Sequence, residues 1–183
     1  MITFVTGGGR SGKSDFAEKR ANEYKHKLYV ATSLAFDKEM QHRIKVHKAQ
    51  RDENWDTLES YKSLFQALHV KSKNKDVILV DCLTNMVSNL MIMDRDVDWD
   101  NVDDDTVELI EEEIKEEVME LLDFGKLFDG DMIIVSNEVG MGLVPEYPLG
   151  RRFRDIAGRM NQHVASNSDE AYLIVSGLEM KLK

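Results

Sequence analysis

Ile2-Thr3-Phe4-Val5-Thr6-Gly7-Gly8-Gly9-Arg10-Ser11-Gly12-Lys13-Ser14 decides the fold. Residues 2–6 are apolar or β-branched, the composition of a buried strand, and the three glycines close it in a tight turn. Gly7, then Gly12, Lys13 and Ser14 have the Walker A spacing, and they stand where that pattern requires: after a strand and before a helix expected from Lys13 to about Tyr24. Glycines let such a loop turn its N–H groups inward toward phosphate oxygens, and the helix start adds partial positive charge. In that setting Lys13 reaches the β- and γ-phosphates of a nucleoside triphosphate and Ser14 ligates Mg²⁺.

Outward from this loop, further strands are expected at Leu28 to Thr32, Val77 to Val80, Met132 to Val135 and Tyr172 to Val175. Helical patterns at 37–51, 60–69, 83–92, 106–123 and 149–166 alternate with them. Strands alternating with helices imply parallel pairing through crossovers, hence a layered α/β sheet with helices on both faces and ligands at the carboxyl ends of the strands. After Ser176-Gly177 the alternating Leu178, Met180 and Leu182 predict an antiparallel edge strand. Asp81 ends the aliphatic run 77–80, so it has two readings: a Mg²⁺ partner beside the P-loop, or the cap of the helix that follows.

Composition narrows the function. The 183 residues, 42% of them hydrophobic, suffice for one domain spanning 1–183. A net charge of −10 argues against a nucleic-acid partner. Cys82 is the sole cysteine, so an intrachain disulfide is excluded. No basic leader and no apolar run of membrane-spanning length is visible, and a cytoplasmic location is expected. Asp94, Asp96, Asp98 and Asp105 imitate calcium-loop positions, but Trp99 stands where that loop needs glycine. The segment 94–105 reads instead as a solvated acidic loop placing negative charge at a helix start.

Arg43, His47 and Arg51 are spaced by four and share one helix face, with Lys48 beside them. That face is either an ordinary solvated one or a polyphosphate contact carrying a nucleophilic imidazole. Glu138 is equally open between a substrate contact and a partner for backbone N–H groups. Arg152, Arg154 and Arg159 read first as salt-bridge partners, and the methionines between Met86 and Met93 as core filling.

The segments 5–14, Tyr29-Val30-Ala31-Thr32-Ser33, Arg43-Ile44 with His47-Lys48 and Arg51, 137–145 (Asn-Glu-Val-Gly-Met-Gly-Leu-Val-Pro), 153–162 and Val175-Ser176-Gly177 follow one another in the order of a known family. Together they resemble the bifunctional adenosylcobinamide kinase and adenosylcobinamide-phosphate guanylyltransferases. The resemblance implies a three-layer, RecA-like P-loop NTPase fold and two reactions. ATP or GTP phosphorylates adenosylcobinamide; GTP then gives GMP to a histidine, which passes it to the phosphorylated acceptor as pyrophosphate leaves. By motif matching the nucleophile is His47. Gly7, Gly8, Gly9, Arg10, Ser11, Gly12, Lys13, Ser14, Ala31, Thr32, Ser33, Lys48, Ala49, Gln50, Arg51, Glu59 and Asp81 are expected to contact nucleotide, with Ser14 and Asp81 toward Mg²⁺. Relatives also imply a homo-oligomer, with a trimer as the candidate state. The rival readings are another small-molecule P-loop kinase and a non-catalytic nucleotide-binding module.

Overall fold

The computed structural model describes residues 1–34, 54–93 and 95–183. Seven strands form one sheet: β1 (Ile2–Gly7), β2 (Lys27–Ala31), β3 (Trp55–Glu59), β4 (Val77–Asp81), β5 (Asp131–Asn137), β6 (Glu170–Val175) and β7 (Leu178–Lys181). Their spatial order is β3-β2-β4-β5-β1-β6-β7, parallel throughout except for the β6–β7 pair. The expected edge strand is therefore present. Ser176 and Gly177 both adopt positive φ (54° and 81°), the backbone that a tight two-residue hairpin needs.

All six residues of β1 are buried, as are the first four of β4, because a parallel sheet is covered on both sides. Alternate side chains along each strand enter opposite layers. Val5, Tyr29, Leu79 and Val135 face α1 (Lys13–Ala21), whose Ala17 and Ala21 allow a close approach. Phe4, Leu28, Ile78 and Ile134 face the larger layer, made of α2 (Leu64–Lys71), α3 (Leu83–Ile92), α4 (Asp104–Leu127) and α5 (Pro148–Asn167). Met86 and Met91 are wholly buried there, as core-filling methionines should be. Burying each such aliphatic side chain contributes about 1.5–3 kcal/mol.

The acidic segment feeds α4 as its charge pattern implies. Val97, Trp99 and Val102 pack against the core while Asp96, Asp98 and Asp100 point to solvent. Asp103 then caps the helix, its carboxylate accepting the Thr106 N–H at 2.8 Å. Asp94 lies outside the described residues.

Two helix limits and one strand stand out against expectation. The helix predicted over 60–69 starts at Leu64, because Ser60 N still donates to Ala31 O and extends the β2–β3 ladder. Ser63, with φ 52°, then turns the chain, its N–H held by Glu117 at 2.8 Å. The first helix ends at Ala21, where Asn22 and Tyr24 N–H groups close on Glu18 and Ala21 carbonyls. Strand β3 was not foreseen. The helix predicted over 37–51 lies outside the described residues, as do His47, Lys48, Ala49, Gln50 and Arg51.

Candidate functional site

Parallel registry brings the strand ends to one edge. Ala31 pairs with both Asp81 and Glu59, and Gly7 pairs with Asn137, so segments that are distant in sequence finish side by side. β5 is inserted between β1, which leads into the P-loop, and β4, which ends in Asp81.

The loop 7–13 is held from below and left open above. A Cβ on Gly7 would fall 2.6 Å from Ser11 Oγ and collide with the Ile174 carbonyl oxygen, so only glycine lets the loop descend between β1 and β6. Gly12, at φ 95°, turns the chain into α1. Gly177 N donates to Ser11 O (2.8 Å) from the β6–β7 turn, and Glu138 N donates to Gly7 O (2.9 Å) from the segment after β5. At Gly8 and Gly9 an added Cβ would meet nothing within 4 Å. Among the described residues no side chain caps α1, so the N–H groups of its first turn remain for an anion. Ser11 Oγ is buried with no hydrogen-bond partner among the described residues.

Lys13 is 8% exposed and its Nζ donates to Gly8 O at 3.0 Å, folding the ammonium back over the loop. Burial pushes its pKa down; Cys82 and Asp81 beside it act in the opposite direction. The Cys82 thiol is itself pushed up to about 12, by burial first and by Asp81 second. It is therefore neutral near pH 7, and Asp81 is the operative counter-charge for Lys13.

Asp81 Oδ2 accepts from the Tyr29 hydroxyl at 2.9 Å. The helix-cap alternative for Asp81 falls, because the cap position of α3 is Cys82. Thr32, 1% exposed, spends its hydroxyl on Cys82, accepting from its N–H (2.8 Å) and donating to its carbonyl (2.7 Å). Ser33 Oγ accepts from Asn85 at 2.7 Å. Glu59 is exposed at the end of β3.

Beneath this edge lies a buried polar layer that the sequence reading missed. Thr84 Oγ1 accepts from Asn137 N (2.6 Å) and shares a hydrogen bond with Ser136 Oγ (3.0 Å). Ser136 Oγ also donates to Asn161 Oδ1 (2.6 Å), and Asn161 Nδ2 donates to Asn137 O (3.1 Å). Asn89 donates to Thr32 O at 2.7 Å. Thr84, Asn85 and Asn89 thus tie α3 to the ends of β2 and β5. The arginines of α5 are engaged as charge pairing predicts: Arg152 with Asp104 at 2.5 Å, Arg154 with Asp155 at 3.0 Å, and Arg159 with Glu111. Glu138 Oε1 accepts from Gly140 N at 2.8 Å, the backbone reading of that carboxylate.

Residues 3–182 match the family model described as cobinamide kinase / cobinamide phosphate guanyltransferase. The chain is 41% identical over 187 residues to the bifunctional adenosylcobalamin biosynthesis protein CobU of Escherichia coli (strain K12), covering all of both chains. It is 40% identical to the protein of the same name from Salmonella typhimurium, again over the whole of both. Against the bifunctional adenosylcobalamin biosynthesis protein CobP of Pseudomonas aeruginosa it is 38% identical, over 100% of this chain and 98% of that one. A solved structure from Pyrococcus horikoshii OT3 superposes with a TM-score of 0.57 at 12% identity, covering 100% of this chain and 85% of the other, which is a likeness of fold. Among the described residues no helix is long and apolar enough to cross a membrane.

Proposed function

Since the chain belongs to the cobinamide kinase / cobinamide phosphate guanyltransferase family, we propose that residues 1–183 are one catalytic domain carrying out both reactions on adenosylcobinamide. In the first, the acceptor's terminal hydroxyl attacks the γ-phosphorus of ATP or GTP and the nucleoside diphosphate leaves. In the second, the His47 imidazole attacks the α-phosphorus of GTP, pyrophosphate leaves, and the new acceptor phosphate displaces the imidazole to give adenosylcobinamide-GDP.

The observation carrying this reading is the convergence of Lys13, the open glycine loop and Asp81 on one sheet edge. On binding a triphosphate, the Lys13 ammonium exchanges the Gly8 carbonyl for phosphate oxygens and offsets charge building on the leaving group. The loop and the start of α1 hold the phosphate chain, while Ala31 to Ser33 and Glu59, at the ends of strands further along the same edge, contact the rest of the nucleotide. Lys48 to Arg51 flank the nucleophile in sequence and supply cations to the α-phosphate.

Ser14 and Asp81 fit a Mg²⁺ ion. Among the described residues no three His, Cys, Asp or Glu side chains gather into a protein cage. An ion held chiefly by phosphate and water, with one or two protein oxygens, needs only such a pair. The ion's chemistry would be charge neutralisation between the phosphates. A homo-oligomer, with a trimer as its candidate state, and a cytoplasmic location complete the reading.

The test is incubation with GTP labelled at the α-phosphate, followed by mapping of the label. One GMP per site, acid-labile and alkali-stable, is expected on His47, and none in His47→Ala, which keeps its kinase activity. A simple P-loop kinase would transfer γ-phosphate with no adduct. A label on another residue, or native-rate adenosylcobinamide-GDP synthesis by His47→Ala, would remove the covalent role.

A further inference from the structure

The segment after β5 does two things at once. Its ends are fixed. At the start, Asn137 N is held by Thr84 Oγ1 (2.6 Å) and Glu138 N by Gly7 O (2.9 Å). At the far end, Arg151 Nη1 donates to the carbonyls of Pro145 (3.1 Å) and Glu146 (2.5 Å), and a Cβ on Gly150 would lie 2.8 Å from Pro145 Cβ, so α5 packs tightly on the loop. Between these anchors Met141, Leu143, Val144 and Tyr147 are 80%, 94%, 67% and 72% exposed. Apolar side chains grouped on one surface loop and held in water mark a contact surface.

The position of the loop selects what it contacts. β5 runs between the P-loop strand and the strand ending in Asp81, so the chain leaving β5 emerges beside the place where Lys13 and Asp81 meet a triphosphate. The loop therefore stands within reach of a group accepting the γ-phosphoryl at this edge. Charge favours the same occupant. Residues 138–150 contain Glu138 and Glu146 and no Lys or Arg. Cobalt(III), bound by a monoanionic corrin ring and a carbanionic alkyl ligand, leaves the alkylated corrinoid a cation with a broad apolar face.

We propose that loop 139–147 is the platform on which the corrin ring of the acceptor lies, Met141, Leu143 and Val144 covering the macrocycle face while its hydroxyl-bearing side chain reaches inward to the phosphate. This rests on the reading of the protein as a cobinamide kinase. The platform acts on the acceptor and leaves nucleotide to the P-loop.

The test uses the full-length protein and the Met141→Ser/Leu143→Ser and Val144→Ser variants, with initial rates of cobinamide phosphorylation measured across cobinamide concentration at saturating ATP. Loss of apolar contact at these positions should raise KM for cobinamide by about tenfold or more. The dissociation constant for GTP, titrated without acceptor, should not move, and Leu143→Met should restore KM. An unchanged KM for cobinamide in an active variant overturns the platform. So does a fall in solution mass without a change in KM, which would assign the loop to a second copy of the chain. If the native protein itself fails to phosphorylate cobinamide, the functional reading falls first; if it succeeds while the variants match it, only the platform falls.

Discussion

Gly12→Ala puts a methyl group where the loop turns into α1, and the structure sets the penalty in two parts. The backbone there has φ 95°, a conformation that L-residues rarely adopt. Forcing alanine into it costs about 1–3 kcal/mol. The new Cβ would also stand 3.2 Å from Gly177 Cα. Relief of that contact moves the β6–β7 turn and stretches the 2.8 Å bond from Gly177 N to Ser11 O, at a cost of about 1 kcal/mol. The total, roughly 2–4 kcal/mol, should lower Tm by about 4–16 °C in a chain of this length. Gly8→Ala is the control, because its Cβ meets nothing within 4 Å and its φ is not positive. It should stay within about 2 °C of the native protein. Thermal unfolding of the nucleotide-free proteins decides the matter: equal shifts for the two variants, or a Gly12→Ala shift under about 2 °C, would refute the steric account.

Thr84→Val keeps shape and removes the acceptor for Asn137 N, so it should destabilise by about 1–3 kcal/mol; a urea midpoint equal to native would show that the polar layer is not coupled to stability. The Cys82 thiol, buried and raised to about 12, should resist iodoacetamide at pH 8 in the folded protein and react once urea unfolds it; rapid native labelling would contradict the burial. Its folded pKa lies above its unfolded one, so the associated stability is intact below about pH 8.5 and is lost as pH rises toward 12, which urea titrations between pH 8 and 11 would follow. Changing the exposed Asp96, Asp98 and Asp100 together to Asn should leave turnover near native, and calcium should not raise Tm; a calcium-dependent stabilisation abolished by the triple variant would reverse the reading of that segment.

How much could be read in advance depended on whether burial leaves a pattern in the chain. β1, β2, β4 and β5 are covered on both faces and each contains an unbroken apolar or β-branched run of four or more residues, so their positions follow from composition. Strand β3, Trp-Asp-Thr-Leu-Glu, has β2 as its only strand partner among the described residues and no fully buried residue, so no such run marks it; the Trp55 and Thr57 alternation is the one available signal. The placing of the glycine loop between β1 and α1, and of Asp81 at the end of β4, was legible because the Walker A pattern has a fixed spacing and a fixed strand-to-helix setting. Thr84, Ser136, Asn89 and Asn161 were not, since a polar residue acquires a buried role only from partners far away in sequence. Tyr29 looked like one more apolar strand position, and its hydroxyl on Asp81 becomes visible only when β2 and β4 are adjacent. The roles of Glu59 and His47 rest on family resemblance.

The strand that carries the phosphate loop precedes both of its sheet neighbours in the chain. β1 has two neighbours, β5 and β6, supplied by residues 131–137 and 170–175, and the Ile2 N–H is held at 2.6 Å by the carboxylate of Asp169. The clamp on Ser11 arrives later still, with Gly177. On a ribosome, residues 2–13 therefore emerge before the strands that hold them in shape. During that interval β2, β3 and β4 can pair among themselves, whereas the phosphate loop has no walls. A triphosphate held at this loop would therefore report that β5, β6 and the β6–β7 turn have docked.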